Sequence, residues 1–268
     1  MKKNTTLDLL KSRLFDFTKI PPKDHKLITI QDNTILSRGN FMLISGLPKV
    51  SKSLFVSLFI SSALADLNLY GIKAKRYPDK DRIALFDTEQ GNSDLYNSIN
   101  RSFNIIENET GIEKKKLYFS LKNKLDVFSM REDDPNVILE MLEVYLQNNT
   151  TCGIIFIDGL LDLVYNFNDE RECKTLINFF KRITKQYNIG IVCVLHTAKT
   201  TGSTIGHIGS FADRYCQSNL EVIKTEDNII VMQGKLLRSS GDFIPICLQR
   251  GNNNEILEVD SFVPQKKR

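Results

Sequence analysis

Phe41-Met42-Leu43-Ile44-Ser45 and, directly after it, Gly46-Leu47-Pro48-Lys49-Val50-Ser51-Lys52-Ser53 form the stretch on which the reading of this chain turns. Five mostly apolar residues read as a buried strand, and the apolar run Lys52–Leu69, stopped at Gly71, reads as a long helix. Between them lies a loop of the kind that cradles phosphates. Backbone N–H groups and the helix N-terminus wrap the anion, Lys52 meets the β- and γ-phosphates, and the Ser53 hydroxyl holds Mg²⁺. The expected nucleotide contacts are therefore Gly46, Leu47, Pro48, Lys49, Val50, Ser51, Lys52 and Ser53. The pattern departs from the usual one at Ser51, where glycine normally precedes the lysine; a serine there needs backbone geometry that glycine adopts with less strain. The competing reading is a chance Lys-Ser pair at a helix start.

Three further apolar strands end in polar residues. Ile154-Ile155-Phe156-Ile157 runs into Asp158, an acid placed to orient Mg²⁺ at a sheet edge, or else an ordinary helix cap. Ile83-Ala84-Leu85-Phe86 runs into Asp87-Thr88-Glu89, where Glu89 is either a general base for water or a solvated loop acid, and Asp87 reads as a cap. Val192-Cys193-Val194-Leu195 runs into His196, which is placed to hydrogen-bond a γ-phosphate. The sequence contains no HExxH, Gly-x-Ser-x-Gly or GxGxxG pattern, which leaves zinc protease, serine hydrolase and dinucleotide-fold readings without support.

Strands at Phe41–Ser45, Arg82–Asp87, Leu117–Leu121, Gly153–Asp158 and Gly190–His196 alternate with helices at Lys52–Leu69, Asn92–Ile106, Pro135–Gln147 and Glu170–Tyr187. That alternation predicts an α/β fold with a mainly parallel sheet flanked by helices. Beyond Gly209 short strands at Ser218–Lys224, Ile229–Gln233, Phe243–Gln249 and Glu255–Val259 predict an antiparallel C-terminal extension of the same sheet. Upstream, Leu7, Leu10, Leu14 and Phe17 predict a short N-terminal helical segment over Thr6–Phe17, ended by Pro21-Pro22, with a brief strand at Ile28–Ile30. The expected division is 1–38 as helix and linker, 39–262 as the nucleotide-binding domain and 263–268 as a basic tail.

Composition agrees. The 268 residues suffice for a full core, and 41% hydrophobic with 25% charged residues excludes disordered and fibrous classes. A formal charge of +4 permits nucleic-acid contact without requiring it. Five cysteines, an odd number at wide spacing with no CxxC pair, argue against a disulfide framework or zinc ribbon and for a reducing compartment. No run reaches the roughly 18 apolar residues of a membrane helix, and Met1-Lys2-Lys3 is followed by polar residues, so a cytoplasmic protein without membrane attachment is expected.

These pieces, in this order, resemble the RecA-fold P-loop ATPases, specifically the RepA-like group, with the hexameric replicative helicases as more distant relatives. The resemblance runs from about Phe41 to Gln249 and rests on Leu43–Ser53, Ala84–Gln90, Gly153–Asp169, Ile191–Lys199, Ile205–Ser210 and Leu236–Ile246. It looks most like the small ATPases of bacterial plasmids and mobilisable elements. The resemblance implies a RecA-like core and ATP with Mg²⁺ as cofactors. It assigns Lys52 and Ser53 as the loop lysine and hydroxyl, Glu89 as catalytic base, Asp158 as the Mg²⁺-orienting acid and His196 as polar sensor. Arg238 matches an arginine that such proteins insert into the neighbouring subunit's site. It further implies a homo-oligomeric ring, possibly a hexamer, acting on single-stranded DNA in replication or mobilisation as a motor, remodeller or helicase. DNA contact is expected from the loop Lys199–Ile208, through Lys199, Thr200 and His207. The alternative is a nucleotide switch that assembles on a protein partner without unwinding DNA.

Overall fold

In the computed structural model, which describes residues 6–20, 25–198, 204–251 and 255–259, the chain begins with α1 (Thr6–Ser12), β1 (Lys26–Ile30) and β2 (Asn33–Ser37). The phosphate-loop unit follows as β3 (Phe41–Gly46) and α2 (Lys52–Ala65), then β4 (Asn68–Leu69), β5 (Ile72–Ala74) and β6 (Arg82–Asp87). Next come α3 (Asn92–Thr110), α4 (Lys114–Leu121), β7 (Leu125–Ser129), α5 (Pro135–Asn148) and β8 (Cys152–Asp158). A single 3₁₀ turn (Leu160–Leu163) leads to α6 (Glu170–Tyr187), β9 (Gly190–His196) and α7 (Gly206–Tyr215). The chain closes on β10 (Ser218–Lys224), β11 (Ile230–Leu237), β12 (Ile246–Arg250) and β13 (Ile256–Glu258).

The large sheet has nine strands in the order β13-β12-β11-β10-β3-β9-β8-β6-β7. The run from β10 to β7 is parallel, whereas β11, β12 and β13 extend it antiparallel, as the sequence predicts. Strand alternation sorts the core into two layers. Met42, Ile44, Phe156, Val192 and Val194 point to the side of Phe55, Phe59 and Phe103, on α2 and α3. Leu43, Ile155, Ile157, Cys193 and Leu195 point to the side of Leu142, Phe180 and Ile208, on α5, α6 and α7. Both faces are thus covered, which is why the central strands read as unbroken apolar runs rather than alternating ones. All five cysteines are buried free thiols. Among the described residues no helix is long and apolar enough to cross a membrane.

Several elements depart from the sequence expectation. Leu117–Leu121 is not a strand but the end of α4, and the strand lies later, in β7. Leu117 and Leu121, four apart, share a helix face, and a five-residue apolar run alone does not distinguish the two periods. Helix α2 stops at Ala65 because Asp66 turns left-handed (φ 55°), and the residues beyond become β4. Helix α7 begins within the expected loop Lys199–Ile208 and continues through residues to which the sequence reading assigned no element. A second sheet, ordered β2-β1-β5-β4, packs Leu27, Ile28, Ile30, Leu36 and Ile72 into the α2-side core. Its β1–β2 turn places Gln31 (φ 48°) and Asp32 (φ 66°) at positive φ, without the Asn-Gly or Asp-Gly pair that marks such turns in a sequence. The segment 6–20 contributes no buried side chain, and Leu10, Leu14, Phe17 and Ile20 are largely exposed.

Candidate nucleotide site

Strand β3 sits at the middle of the sheet with all six residues buried, and its C-terminal edge carries the phosphate loop. Gly46 is required there on steric grounds, since a Cβ would lie 2.3 Å from the Val222 carbonyl oxygen. The loop then passes through two left-handed residues, Lys49 (φ 67°) and Ser51 (φ 73°, ψ 35°), neither a glycine. Each such conformation costs an L-residue roughly 1–2 kcal/mol. The Ser51 side chain makes no capping hydrogen bond to α2, so nothing local offsets that strain.

Strand register aligns the polar strand ends. Gly46 lies beside His196, Asp158 beside Val194 and Asp87 beside Asp158. Lys52, 5% exposed, donates from Nζ to the carbonyls of Gly46 (2.9 Å) and Leu47 (2.8 Å) and to His196 Nδ1 (2.9 Å). With an ammonium donating to Nδ1, the imidazole carries its proton on Nε2, which donates to Glu89 Oε1 (3.1 Å) and Oε2 (3.3 Å). The result is one chain, Lys52–His196–Glu89, spanning the space above the sheet edge. Burial lowers the Lys52 pKa to about 8, opposed by Glu89 and Asp158. The His196 hydrogen bond holds the Glu89 carboxyl below its ordinary range.

Behind this chain lie the buried acids. Asp158, 7% exposed, is raised to about 7 by burial and by the charges of Asp87 and Glu89. Asp87 is fully buried, and burial raises it too. Gln90 bridges the pair: its Nε2 donates to Asp87 Oδ2 (2.5 Å) and Asp158 Oδ2 (3.4 Å), while its N–H donates to Asp87 Oδ1 (2.7 Å). The Thr88 N–H donates to the Asp158 carbonyl (3.0 Å) and its Oγ1 to Asp162 Oδ2 (2.7 Å), tying the strand end of β6 to that of β8. Gln90, Thr88 and Asp162 went unnoticed in the sequence. The run Asp87-Thr88-Glu89-Gln90 and an acid four residues past Asp158 were the available signals. Among the described residues no three His, Cys, Asp or Glu side chains converge as a metal cage. The donor set instead suits Mg²⁺, which takes one or two carboxylates with substrate phosphates and water: Asp158 has two further acids, Asp87 and Glu89, beside it, and Ser53, the second residue of α2, is half-buried.

A cavity of about 520 Å³ opens beside Leu54, the residue after Ser53, between α3 and the β12–β13 pair. Its wall includes Arg101 and Arg250. Arg101 is lowered by burial and by the Arg250 charge, and its Nη1 is buried without a hydrogen-bond partner. Arg250 also lines a second pocket, of about 600 Å³, together with Lys49 and Ser51 of the loop.

The structure therefore brings together Lys52, Glu89, Asp158 and His196. It does not bring Arg238 to them. The Arg238 N–H donates to the Gln217 carbonyl (3.1 Å), and the Gln217 N–H donates to that of Phe41 (2.8 Å), at the opposite end of β3 from Gly46. Six residues of strand separate the two ends by roughly 17 Å. The exposed Arg238 guanidinium instead contacts the Arg214 carbonyl at the end of α7. His207 is exposed in the first turn of α7, whereas Lys199 and Thr200 lie outside the described residues.

A family model described as an AAA domain matches residues 5–202, which contain the loop, Glu89, Asp158 and His196. No curated protein matches the chain significantly.

Proposed function

The chain belongs to the AAA domain family and is a nucleotide-hydrolysing P-loop ATPase; from that premise we propose that it is an oligomeric, ATP-driven motor or remodeller of single-stranded DNA, serving replication or mobilisation of a plasmid or mobile element. The observation that carries the ATPase chemistry is the Lys52–His196–Glu89 chain at the sheet edge, backed by Asp158. In this reading the nucleotide's β- and γ-phosphates compete for the Lys52 ammonium and displace His196 from it. Asp158 and Ser53 would hold Mg²⁺, which neutralises charge developing on the phosphoryl oxygens when bound. Glu89 accepts the proton of the attacking water; the His196 hydrogen bond that lowers its pKa in the resting site is lost when His196 turns to the γ-phosphate, which makes the carboxylate a stronger base. His196, released by Lys52, senses the γ-phosphate. Sugar and base extend past Leu54 into the adjoining cavity, where Arg101 Nη1 needs an acceptor.

Two features support an oligomer. Arg238 is exposed and too far from its own chain's loop to act there, which suits a guanidinium delivered to a neighbour. The segment 6–20 exposes an apolar surface that the described residues of its own chain leave uncovered. Phosphate release from ATP tests the chemistry. Glu89→Gln is expected to retain ATP binding and to lose about 100-fold or more in turnover. Turnover at the parent rate would remove Glu89 from the role of base. Stimulation of the parent ATPase by single-stranded DNA tests the partner, and a response to no nucleic acid would count against it.

A further inference from the structure

Between Lys114 and Lys124 the chain carries five lysines and no acid, more positive charge than the whole chain's net +4. Helix α4 arranges this segment on two faces. Leu117 is buried, and the Tyr118 ring lies 4.2 Å from that of Phe103 while its hydroxyl donates to Asn100, so the inner face is pinned to α3. Lys115, Lys116, Phe119 and Lys122, at spacings of three and four about Phe119, share the outer face, and all are exposed. Phe119 is 77% exposed, a large ring presented to solvent on an otherwise anchored helix, and Lys122 Nζ stands 5.0 Å from its centre. Lys124 pairs with Asp81, and Lys114 bonds Asn104. Among the described residues Lys115, Lys116 and Lys122 have no acidic partner.

We infer that the outer face of α4 is a binding platform for single-stranded nucleic acid, on which Phe119 stacks a base and Lys115, Lys116 and Lys122 contact flanking phosphates. A solvated lysine face alone would serve any polyanion. The exposed ring within the lysine stripe selects an unpaired strand, since only unstacked bases offer a free π-face. The platform is distinct from the sensor-strand loop expected from the sequence. It packs along the middle of α3, against Asn100, Phe103 and Asn104, roughly 12–18 Å along that helix from its first residue, Asn92. The inference rests on single-stranded DNA being the partner, and the experiment separates the two.

The chain has no tryptophan, so full-length Phe119→Trp carries a single reporter at the proposed stacking position. Oligothymidylate is expected to quench its emission saturably, and a duplex of equal length is expected not to. By anisotropy of labelled oligothymidylate, Phe119→Ala should bind about 5- to 150-fold more weakly. Replacing Lys115, Lys116 and Lys122 by Gln should reduce the slope of log affinity against log salt by about 2. Basal ATP hydrolysis should stay unchanged in both variants. If the parent binds the oligonucleotide but Phe119→Trp is not quenched and Phe119→Ala binds equally well, the platform is wrong while the DNA partner stands. If the parent does not bind at all, both fall. If duplex or polyglutamate competes as well as the single strand, the site is a general polyanion surface and the stacking assignment is overturned.

Discussion

Ser51→Gly is expected to stabilise the nucleotide-free protein, and the loop geometry supplies the magnitude. Ser51 sits at φ 73°, ψ 35° with no side-chain hydrogen bond to the helix it precedes. An L-residue there costs roughly 1–2 kcal/mol that glycine does not. Against this, glycine loses about 0.5–1 kcal/mol more conformational entropy on folding. The net gain is about 0.5–1 kcal/mol, which for a chain of this size raises the melting midpoint by about 1–4 °C. Ser51→Ala is the control. It keeps the Cβ and the strain and removes only a hydroxyl without a cap bond, so its midpoint should lie within about 0.5 kcal/mol of the parent's. Thermal unfolding of the three proteins without nucleotide, paired with ATP titrations, gives both readouts. ATP affinity of the glycine variant should equal or exceed the parent's. A lower midpoint for Ser51→Gly would refute the strain argument, and a clear loss of affinity in both variants would make the hydroxyl a nucleotide ligand.

Lys52→Ala should abolish tight ATP binding by titration calorimetry, because among the described residues no other cation reaches the Gly46 and Leu47 carbonyls; retained affinity would place the phosphates elsewhere. Asp158 has a folded-state pKa near 7, above its unfolded value, so the native state holds the extra proton and stability falls as pH rises from about 4 to about 7. Asp158→Asn should flatten that decline and raise stability at pH 8 by on the order of a few kcal/mol, as read from urea midpoints across pH; an unchanged profile would contradict the buried-acid argument. Arg238→Ala and Glu89→Gln should each be nearly inactive alone and regain some ATPase when mixed, since some interfaces then pair an intact Glu89 with an intact Arg238. Mixed assemblies that form but stay inactive would make Arg238 structural.

The loop, the strand–helix alternation and the polar strand ends were legible because each is set by local chemistry. A buried strand needs apolar residues on both faces, and a phosphate loop needs a Gly46 that tolerates Val222 above it. Features that depend on register were not legible. Asp87 reads as a cap until β6 and β8 set it beside Asp158, and only then does Gln90 become the bridge between two buried carboxylates. The second sheet escaped notice because Gln31 and Asp32 make a positive-φ turn with weak turn residues. The Ser51 departure was visible in the sequence, but its left-handed geometry was not.

Under the proposed function, the resting site would sense nucleotide occupancy without a separate receiver. Lys52 has three acceptors, two of them carbonyls of its own loop and the third His196. In the proposed mechanism an arriving γ-phosphate competes for the same ammonium, and its charge-assisted bonds are stronger than those to neutral carbonyls. The Lys52–His196 bond is then the one to yield, because the carbonyl contacts belong to the loop that wraps the phosphate. Once Nδ1 loses its donor, the imidazole has no reason to hold its tautomer or its orientation toward Glu89. The base is freed for water in the same event that binds the γ-phosphate. His196 ends β9, and Thr197 beyond it bridges Thr204 just before α7, whose C-terminal carbonyl at Arg214 holds Arg238. A change at the γ-phosphate therefore has a short covalent and hydrogen-bonded route to the guanidinium proposed to enter the next subunit's site. That route couples neighbouring sites only if α7 moves as a unit, which its buried face of Ile208, Phe211 and Ala212 favours.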